Sequence, residues 1–228
     1  MTTLVMIHGS GSCRENWHYQ LEAFPGSHAV NLPGHPDGEC LTTIEACAEW
    51  VHGYVAEHGV KDLVVAGHSL GGAVALQFAL DFPGEAKALV LVGSGARLRV
   101  HPKTLSDLEA QVESGASFDP MQGYDLIAPE VAEVLARRRV ENGLAARLND
   151  LRACDAFDVI ERLGEINIPV LAICGTEDVM TPPKYTEFLE ARLANATSLV
   201  LPGGTHQVHV EQPEPVNEAI GAFLEGLG

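Results

Sequence analysis

The sequence predicts an α/β protein: a doubly wound, mainly parallel sheet of about six strands with a helical cap inserted between the fourth and fifth strands. Short apolar runs without polar alternation recur along the chain, as is typical of parallel strands covered on both faces. Stretches with helical periodicity separate these runs. The length of 228 residues suits one domain with a large core, so we expect a single domain over 1–228.

Six apolar runs are the candidate strands of this sheet. Each run is short, rich in aliphatic residues and bounded by polar residues, glycine or proline. In chain order they are Leu4–Ile7, His28–Leu32, Leu63–Ala66, Ala88–Val92, Val170–Cys174 and Ser198–Leu201.

Helical segments follow most of these strands. Thr42 or Thr43 is a suitable N-cap for the first of them. Pro182 and Pro183 suit the first turn of another, where a missing N–H costs nothing. The predicted helices are Ile44–Glu57, Leu70–Asp81, Lys184–Leu193 and Pro215–Leu224.

The segment from Arg97 to about Gly164 interrupts the alternation of strand and helix. It has no strand pattern, but apolar residues recur at helical spacing in three places. These are Leu105/Leu108/Val112, Val131/Val134/Leu135 and Leu144/Leu148/Leu151. Because ligands bind at the carboxyl edge of a parallel sheet, we interpret residues 97–164 as a cap over that edge and not as a separate domain.

The most informative motif lies between the third strand and the helix that follows it. Gly67, Ser69 and Gly71 form a G-x-S-x-G pattern in which an apolar run ends and a small-residue helix begins. A serine at so sharp a turn has a strained backbone that exposes its hydroxyl. Neighbouring side chains would collide there, so glycine is required on both sides. Ser69 is therefore a candidate nucleophile.

The net charge and the cysteine pattern limit the classes of partner, the metal sites and the cellular location that we expect for this protein. The net charge of −17 disfavours nucleic acid and anionic membranes as partners. The sequence has no cationic leader and no apolar stretch long enough to cross a membrane. The five cysteines show neither C-x-x-C nor zinc spacing, so we expect reduced thiols, no metal site and a cytoplasmic location. They are Cys13, Cys40, Cys47, Cys154 and Cys174.

The chain resembles the α/β-hydrolase superfamily, in particular its capped serine esterases and lactonases. The resemblance covers Leu4–Gly95 and Ile168–Leu224 and includes the family's order of serine, acid and histidine. The segment Asn31-Leu32-Pro33-Gly34-His35-Pro36 is similar to the family's Asp-x-Pro-Gly-His-Gly loop, but Asn31 and Pro36 differ. These differences leave the subgroup open.

The resemblance also implies the remaining catalytic residues. Gly175-Thr176-Glu177-Asp178 is similar to the loop that carries the acid, which implies Asp178, with Glu177 as the alternative. Gly204-Thr205-His206 is similar to the loop that carries the base, which implies His206, with His209 as the alternative. His206 would exchange the proton of Ser69, and Asp178 would orient the imidazole.

Two backbone N–H groups are expected to form an oxyanion hole. One belongs to Leu70, directly after the nucleophile. The other belongs to Ser10, because His8-Gly9-Ser10 is similar to the family's His-Gly-x loop.

The resemblance implies a serine hydrolase that cleaves a carboxylic ester or lactone of small to medium size through an acyl-enzyme, without cofactor. Hydroxynitrile lyases, perhydrolases and carbon–carbon bond hydrolases share these residues, and a non-catalytic ligand receptor on the same scaffold is the other alternative. The candidates for substrate contact in the cap are Met121, Leu126 and Ile127. The run Arg137-Arg138-Arg139 is interpreted as a solvated helix face, with contact to an acidic substrate as the alternative. The natural substrate and the oligomeric state stay open.

Overall fold

A computed structural model of the protein describes residues 2–228. Its centre is one six-stranded sheet in the order β2-β1-β3-β4-β5-β6, and every neighbouring pair is parallel. The predicted sheet is therefore confirmed. The strands are β1 (Thr3–Ile7), β2 (His28–Val30), β3 (Leu63–His68), β4 (Ala88–Val92), β5 (Val170–Gly175) and β6 (Ala196–Leu201).

Helices cover both faces of the sheet, because alternate residues of each strand point to opposite sides. The helices are α1 (His18–Ala23), α2 (Ile44–Glu57), α3 (Leu70–Asp81), α4 (Pro102–Ser114), α5 (Pro129–Ala156), α6 (Pro183–Arg192), α7 (Val208–Glu211) and α8 (Pro213–Glu225). In β3, Leu63 and Val65 belong to a core formed with α2, α3 and α6, whereas Val64 and Ala66 belong to a core formed with α1 and α8.

Most boundaries agree with the sequence prediction. Helices α2 and α3 have the predicted bounds, and the Thr43 hydroxyl accepts a hydrogen bond from the Ala46 N–H at 3.1 Å. Strand β2 ends at Val30 instead of Leu32, because the Leu32 N–H donates to the His8 ring at 3.1 Å and not to a strand. Strand β6 begins at Ala196 instead of Ser198, because Ala196 pairs with the start of β5.

The insert between β4 and β5 is helical, as predicted, but its division differs. An antiparallel bridge between Arg97 and Asp158 joins its two ends. The second and third predicted segments run together in α5, with a break at Gly143, where φ is 74° and ψ is 168°. Within residues 2–228, no helix combines the length and the apolar composition that crossing a lipid bilayer requires.

The strand register brings the carboxyl ends of the central strands to one edge. Ile7 at the end of β1 lies opposite Gly67, and His68 at the end of β3 lies opposite Val92. At this edge the turn from β3 to α3 packs directly on the backbone of β1. A Cβ at Gly71 would overlap the Ile7 carbonyl and would lie 2.8 Å from the His8 oxygen, so a side chain has no room there.

Alanine at Gly71 is expected to lower the free energy of unfolding by about 1–3 kcal/mol, because it overpacks the backbone of β1. The matched control is Gly53→Ala, in the exposed middle of α2, where a Cβ meets nothing within 4 Å. That change should raise stability by roughly 0.5–1 kcal/mol, the usual gain of alanine over glycine in a helix. Chemical denaturation measures both. A Gly71→Ala protein as stable as the parent would contradict the close contact.

Candidate active site

Ser69 lies at the turn between β3 and α3 with a backbone that side-chain-bearing residues rarely adopt. Its φ is 54° and its ψ is −115°. Two hydrogen bonds hold this conformation: the Ser69 N–H donates to the Val92 carbonyl at 2.9 Å, and the Ser94 hydroxyl donates to the Ser69 carbonyl at 2.8 Å. Strain of this kind is concentrated at functional sites and persists only where the surrounding structure enforces it.

Asp178 and His206 are joined at the same edge of the sheet. The Nδ1 atom of His206 lies 2.8 Å from Oδ2 of Asp178. The Thr181 hydroxyl donates to the same oxygen, and the N–H groups of Met180 and Thr181 donate to Oδ1, each at 2.8 Å. Burial opposes the charge of Asp178, but the bonds from His206 and Thr181 outweigh it and hold its pKa below the ordinary value. The carboxylate is therefore ionised at neutral pH.

Ser69 and His206 line the same cavity. The Ser69 hydroxyl and the His206 ring are not hydrogen bonded to each other in this structure. Gly93, the residue after β4, leaves room for the acid and the base because it has no side chain. Its φ is 52°, and a Cβ there would lie 3.2 Å from Nδ1 of His206 and 3.3 Å from Oδ2 of Asp178. The three predicted residues therefore meet at one edge of the sheet.

The two alternatives that the sequence leaves open make other contacts. Glu177 is exposed, and its carboxylate accepts a bond from the Thr176 hydroxyl at 3.3 Å instead of one from His206. His209 is fully buried, with Nε2 2.9 Å from the Asn16 amide. Burial and the nearby His206 lower the pKa of His209 to about 3, so it is neutral at physiological pH.

The two predicted oxyanion donors adjoin Ser69. Leu70 is the first residue of α3, so its N–H has no partner within the helix. Ser10 lines the cavity, and its N–H donates to no other residue within 2–228. The loop that carries Ser10 touches the nucleophile, because a Cβ at the preceding Gly9 would lie 3.2 Å from Cβ of Ser69.

Helix α5 of the insert holds this loop from the other side. The Asp150 carboxylate accepts a hydrogen bond from the Gly11 N–H at 2.7 Å and lies 2.9 Å from Nε2 of His35. The Asn142 amide donates to the Ser12 carbonyl at 2.6 Å. Burial would lower the pKa of His35, but the bond and charge of Asp150 outweigh it and raise the pKa. No local sequence pattern predicts this contact, since its partners are far apart in the chain.

His68, inside the turn, supports the base from behind. It is almost fully buried, and its Nε2 atom lies 2.8 Å from the His206 carbonyl oxygen, to which it donates a hydrogen bond. Its Nδ1 atom lies 3.4 Å from the Asn16 amide. Burial and the neighbouring histidines hold the pKa of His68 well below its ordinary value. A neutral His68 with its Nε2 hydrogen can therefore anchor the backbone of His206.

The cavity next to Ser69 has a volume of about 280 Å³. Its lining from the insert differs from the expectation: Met121 and Leu126 are 41% and 57% exposed at the surface. Ile127 is buried in a cluster that joins insert residues to Cys13 and Val210, and it is not among the residues that line the cavity. Helical periodicity shows which residues are apolar but not which of them face a ligand. The insert residues that line the cavity are Gln122, Gly123, Tyr124, Arg139, Arg147 and Leu151.

A smaller recess of about 50 Å³ also borders Ser69. It shares Ser10, Ser69, Leu151, Met180 and His206 with the larger cavity. The rest of its lining is mostly apolar and consists of Leu98, Arg99, Val100, Cys154, Thr181 and Tyr185. A molecule that reacts at Ser69 therefore has a larger space that is lined in part by Arg139 and Arg147, and a narrow, mostly apolar recess next to it.

Comparison with known proteins agrees with this arrangement. A sequence model of the alpha/beta hydrolase family matches residues 4–219, which is nearly the whole chain. The chain belongs to this family. The predicted resemblance to the superfamily is confirmed, and a solved structure supports the similarity to its esterases.

Three relatives illustrate the similarity. The putative carbamate hydrolase RutD of Escherichia coli O103:H2 is 28% identical over 247 residues, covering 98% of this chain and 90% of the relative. A thermophilic esterase of known structure is 35% identical with a TM-score of 0.85, covering 99% of this chain and 90% of that one. The enol-lactonase of Burkholderia xenovorans LB400 has a TM-score of 0.85 at 19% identity, covering 98% and 91%, and shares the fold.

Replacing Asp150 with alanine is expected to destabilise the protein by about 3 kcal/mol, because it leaves His35 and the Gly11 N–H buried without their acceptor. The control is Asp107→Ala in α4, which removes an exposed pair with Lys103 and should change little. Thermal and chemical unfolding measure both changes.

The cost of Asp150→Ala should depend on pH. Since the pKa of His35 is raised in the folded protein, its contribution is fully present below its ordinary value and declines as the pH rises through the raised value. The difference in unfolding free energy between parent and variant is therefore expected to shrink at alkaline pH. A difference that grows with pH would contradict the charged pair.

Proposed function

We propose that this protein is a serine hydrolase that cleaves a carboxylic ester or lactone of small to medium size through an acyl-enzyme intermediate. The proposal rests above all on the 2.8 Å contact between Asp178 and His206 beside a cavity that contains the strained Ser69. The 35% identity to a thermophilic esterase over almost the whole chain supports the same class of reaction.

The reaction follows from the position of each group. Ser69 attacks the carbonyl carbon while His206 takes its proton, and the ionised Asp178 stabilises the resulting imidazolium. The N–H groups of Ser10 and Leu70 hold the negative charge that develops on the carbonyl oxygen. His206 then gives the proton to the leaving alcohol. Water enters for the second half of the reaction, and His206 activates it in the same way.

We propose that residues 97–164 form a cap over this site within a single domain of 1–228. The contribution of Tyr124, Arg139 and Arg147 to the cavity next to Ser69 supports this. The cavity volume of about 280 Å³ is at the lower limit of ligand sites and suits a small molecule as partner.

The mechanism requires no metal ion or cofactor. The five cysteines are free, which supports a reducing, cytoplasmic environment.

Hydrolysis of a carbamate is the second candidate. It is favoured by the 28% identity to a putative carbamate hydrolase that covers 98% of this chain. A carbamate carbonyl passes through the same tetrahedral intermediate, so the same residues would serve. A panel of phenyl acetate and phenyl carbamate assayed side by side separates the two candidates by kcat/KM.

Ser69→Ala is expected to lower kcat/KM for p-nitrophenyl acetate by roughly 10⁴-fold or more, because no nucleophile remains. A fluorophosphonate should label the parent protein and not the variant. Ser106→Ala, an exposed serine on α4, is the matched control and should retain full activity. Esterase activity that survives Ser69→Ala would overturn the proposal, and binding without turnover by the parent would favour a receptor.

Asp178→Asn is expected to lower kcat by about 10³- to 10⁴-fold with little change in KM, because an amide neither fixes the His206 tautomer nor stabilises the imidazolium. Glu177→Gln tests the alternative acid and should retain kcat, since Glu177 makes no contact with His206. Steady-state kinetics on the same ester measures both. A larger loss for Glu177→Gln than for Asp178→Asn would reverse the assignment.

A further inference from the structure

Two arginines of the insert line the cavity that contains Ser69 and His206. Arg139 and Arg147 both belong to α5. The stem of Arg147 packs on the proposed oxyanion loop, since a Cβ at Gly11 would lie 2.9 Å from Cβ of Arg147. The stem of Arg147 therefore lies against the loop that carries Ser10.

Arg139 and Arg147 lack the acidic partners that most of the other arginines have. The protein has 31 acidic and 14 basic residues, so carboxylates are abundant. Within residues 2–228, neither Arg139 nor Arg147 forms an ion pair, and the Arg147 guanidinium makes no hydrogen bond. The arginines that do form ion pairs are Arg14, Arg97, Arg99, Arg138, Arg152 and Arg162.

Arg139 is held in place by neutral groups. One of its guanidinium nitrogens donates to the carbonyls of Pro120 and Gln122, each at 2.9 Å. The guanidinium also lies over the ring of Tyr124, 4.1 Å from its centre. These contacts fix the direction of the side chain without neutralising its charge.

The charge in this part of the cavity is uncompensated. Burial and the neighbouring Arg139 lower the pKa of Arg147, which shows that its environment disfavours a second cation. The acidic residue among the cavity-lining residues is Glu177, which is exposed and bonded to Thr176. An anion that enters the cavity would satisfy both guanidinium groups with charge-assisted hydrogen bonds.

The smaller recess beside Ser69 limits the size of the group that a bound substrate can place there. Its volume of about 50 Å³ accommodates a few non-hydrogen atoms, and Leu98, Val100 and Leu151 give it an apolar wall. The two spaces therefore differ in size, and Arg139 and Arg147 line only the larger one, whereas Arg99 in the recess is already paired with Asp158. A molecule that spans them would have a short apolar group at one end and a charged group at the other.

We propose that the substrate is an anion: a short ester or lactone whose carboxylate or phosphate group binds Arg139 and Arg147 while a small apolar group fills the recess. This inference rests on the proposed function, because it names the substrate class of the same site. Guanidinium groups bind both oxyanions with similar geometry, so the experiment distinguishes them.

The first test compares a neutral ester with two related esters that carry an added carboxylate. Phenyl acetate is the neutral substrate, and 4-acetoxybenzoate and phenyl hemisuccinate place a carboxylate on the alcohol and acyl sides. We expect the parent protein to prefer one of the charged esters by at least about tenfold in kcat/KM. Arg147→Gln and Arg139→Gln should each reduce that ratio toward one. Arg152→Gln, an exposed and ion-paired arginine on the same helix, should leave it unchanged.

A second measurement needs no variant and therefore does not depend on folding of the mutants. Succinate and inorganic phosphate are tested as competitive inhibitors of phenyl acetate hydrolysis, with neutral succinamide as the control. Inhibition by succinate or phosphate but not by succinamide supports the inference, and the stronger inhibitor identifies the anion. Inhibition by neither anion, or a charged-ester ratio that Arg147→Gln does not change, overturns it. Failure of the proposed function is distinguishable, because phenyl acetate would then not be hydrolysed at all.

Discussion

The close packing of the turn at Ser69 against β1 is the constraint on which the site depends. Gly71 brings the start of α3 into contact with the Ile7 backbone. A hydrogen bond from the Ser69 N–H to β4 and one from the Ser94 hydroxyl to the Ser69 carbonyl fix the positive φ of Ser69. Once this turn is placed, the N–H of Leu70 and the loop after β1 face the same point. The carboxyl ends of the neighbouring strands then bring the acid and the base to that point. A side chain at the glycine would separate these elements.

The charge state of each titratable group around the site depends on its burial and on its hydrogen-bond partners. His8 and His209 are fully buried, and burial lowers their pKa values to about 4 and about 3. They are neutral at physiological pH and serve as hydrogen-bonding and packing groups. Asp178 is also buried, but it receives hydrogen bonds from His206 and Thr181, and its pKa falls, so it keeps its charge. The charge that the proposed mechanism needs is thus retained in a cluster of otherwise neutral groups.

The sequence was sufficient for the sheet and for the residues beside Ser69, and insufficient for the ligand-facing surface of the insert. Buried parallel strands appear in the sequence as short aliphatic runs, and the turn around Ser69 is formed by residues that are adjacent in the chain. Both can therefore be predicted from the sequence. Arg139 belongs to a run of three arginines that the sequence analysis interprets as a solvated helix face, whereas in the structure it lines the cavity. Arg147 and Asp150 carry no motif, because their positions depend on how α5 docks against a loop about 140 residues earlier. Docking of this kind is determined by packing between distant segments.

Helix α5 both supports a loop of the core and lines the cavity, so the insert is not independent of the core. Through Asn142 and Asp150 it holds the loop that carries Ser10, and through Arg139 and Arg147 it contributes to the wall of the cavity. Transplanting the insert from another protein would therefore remove support from the loop together with the old lining. New specificity on this scaffold is accessible by changing single residues on one face of α5, whereas wholesale exchange of the insert also requires a new loop after β1.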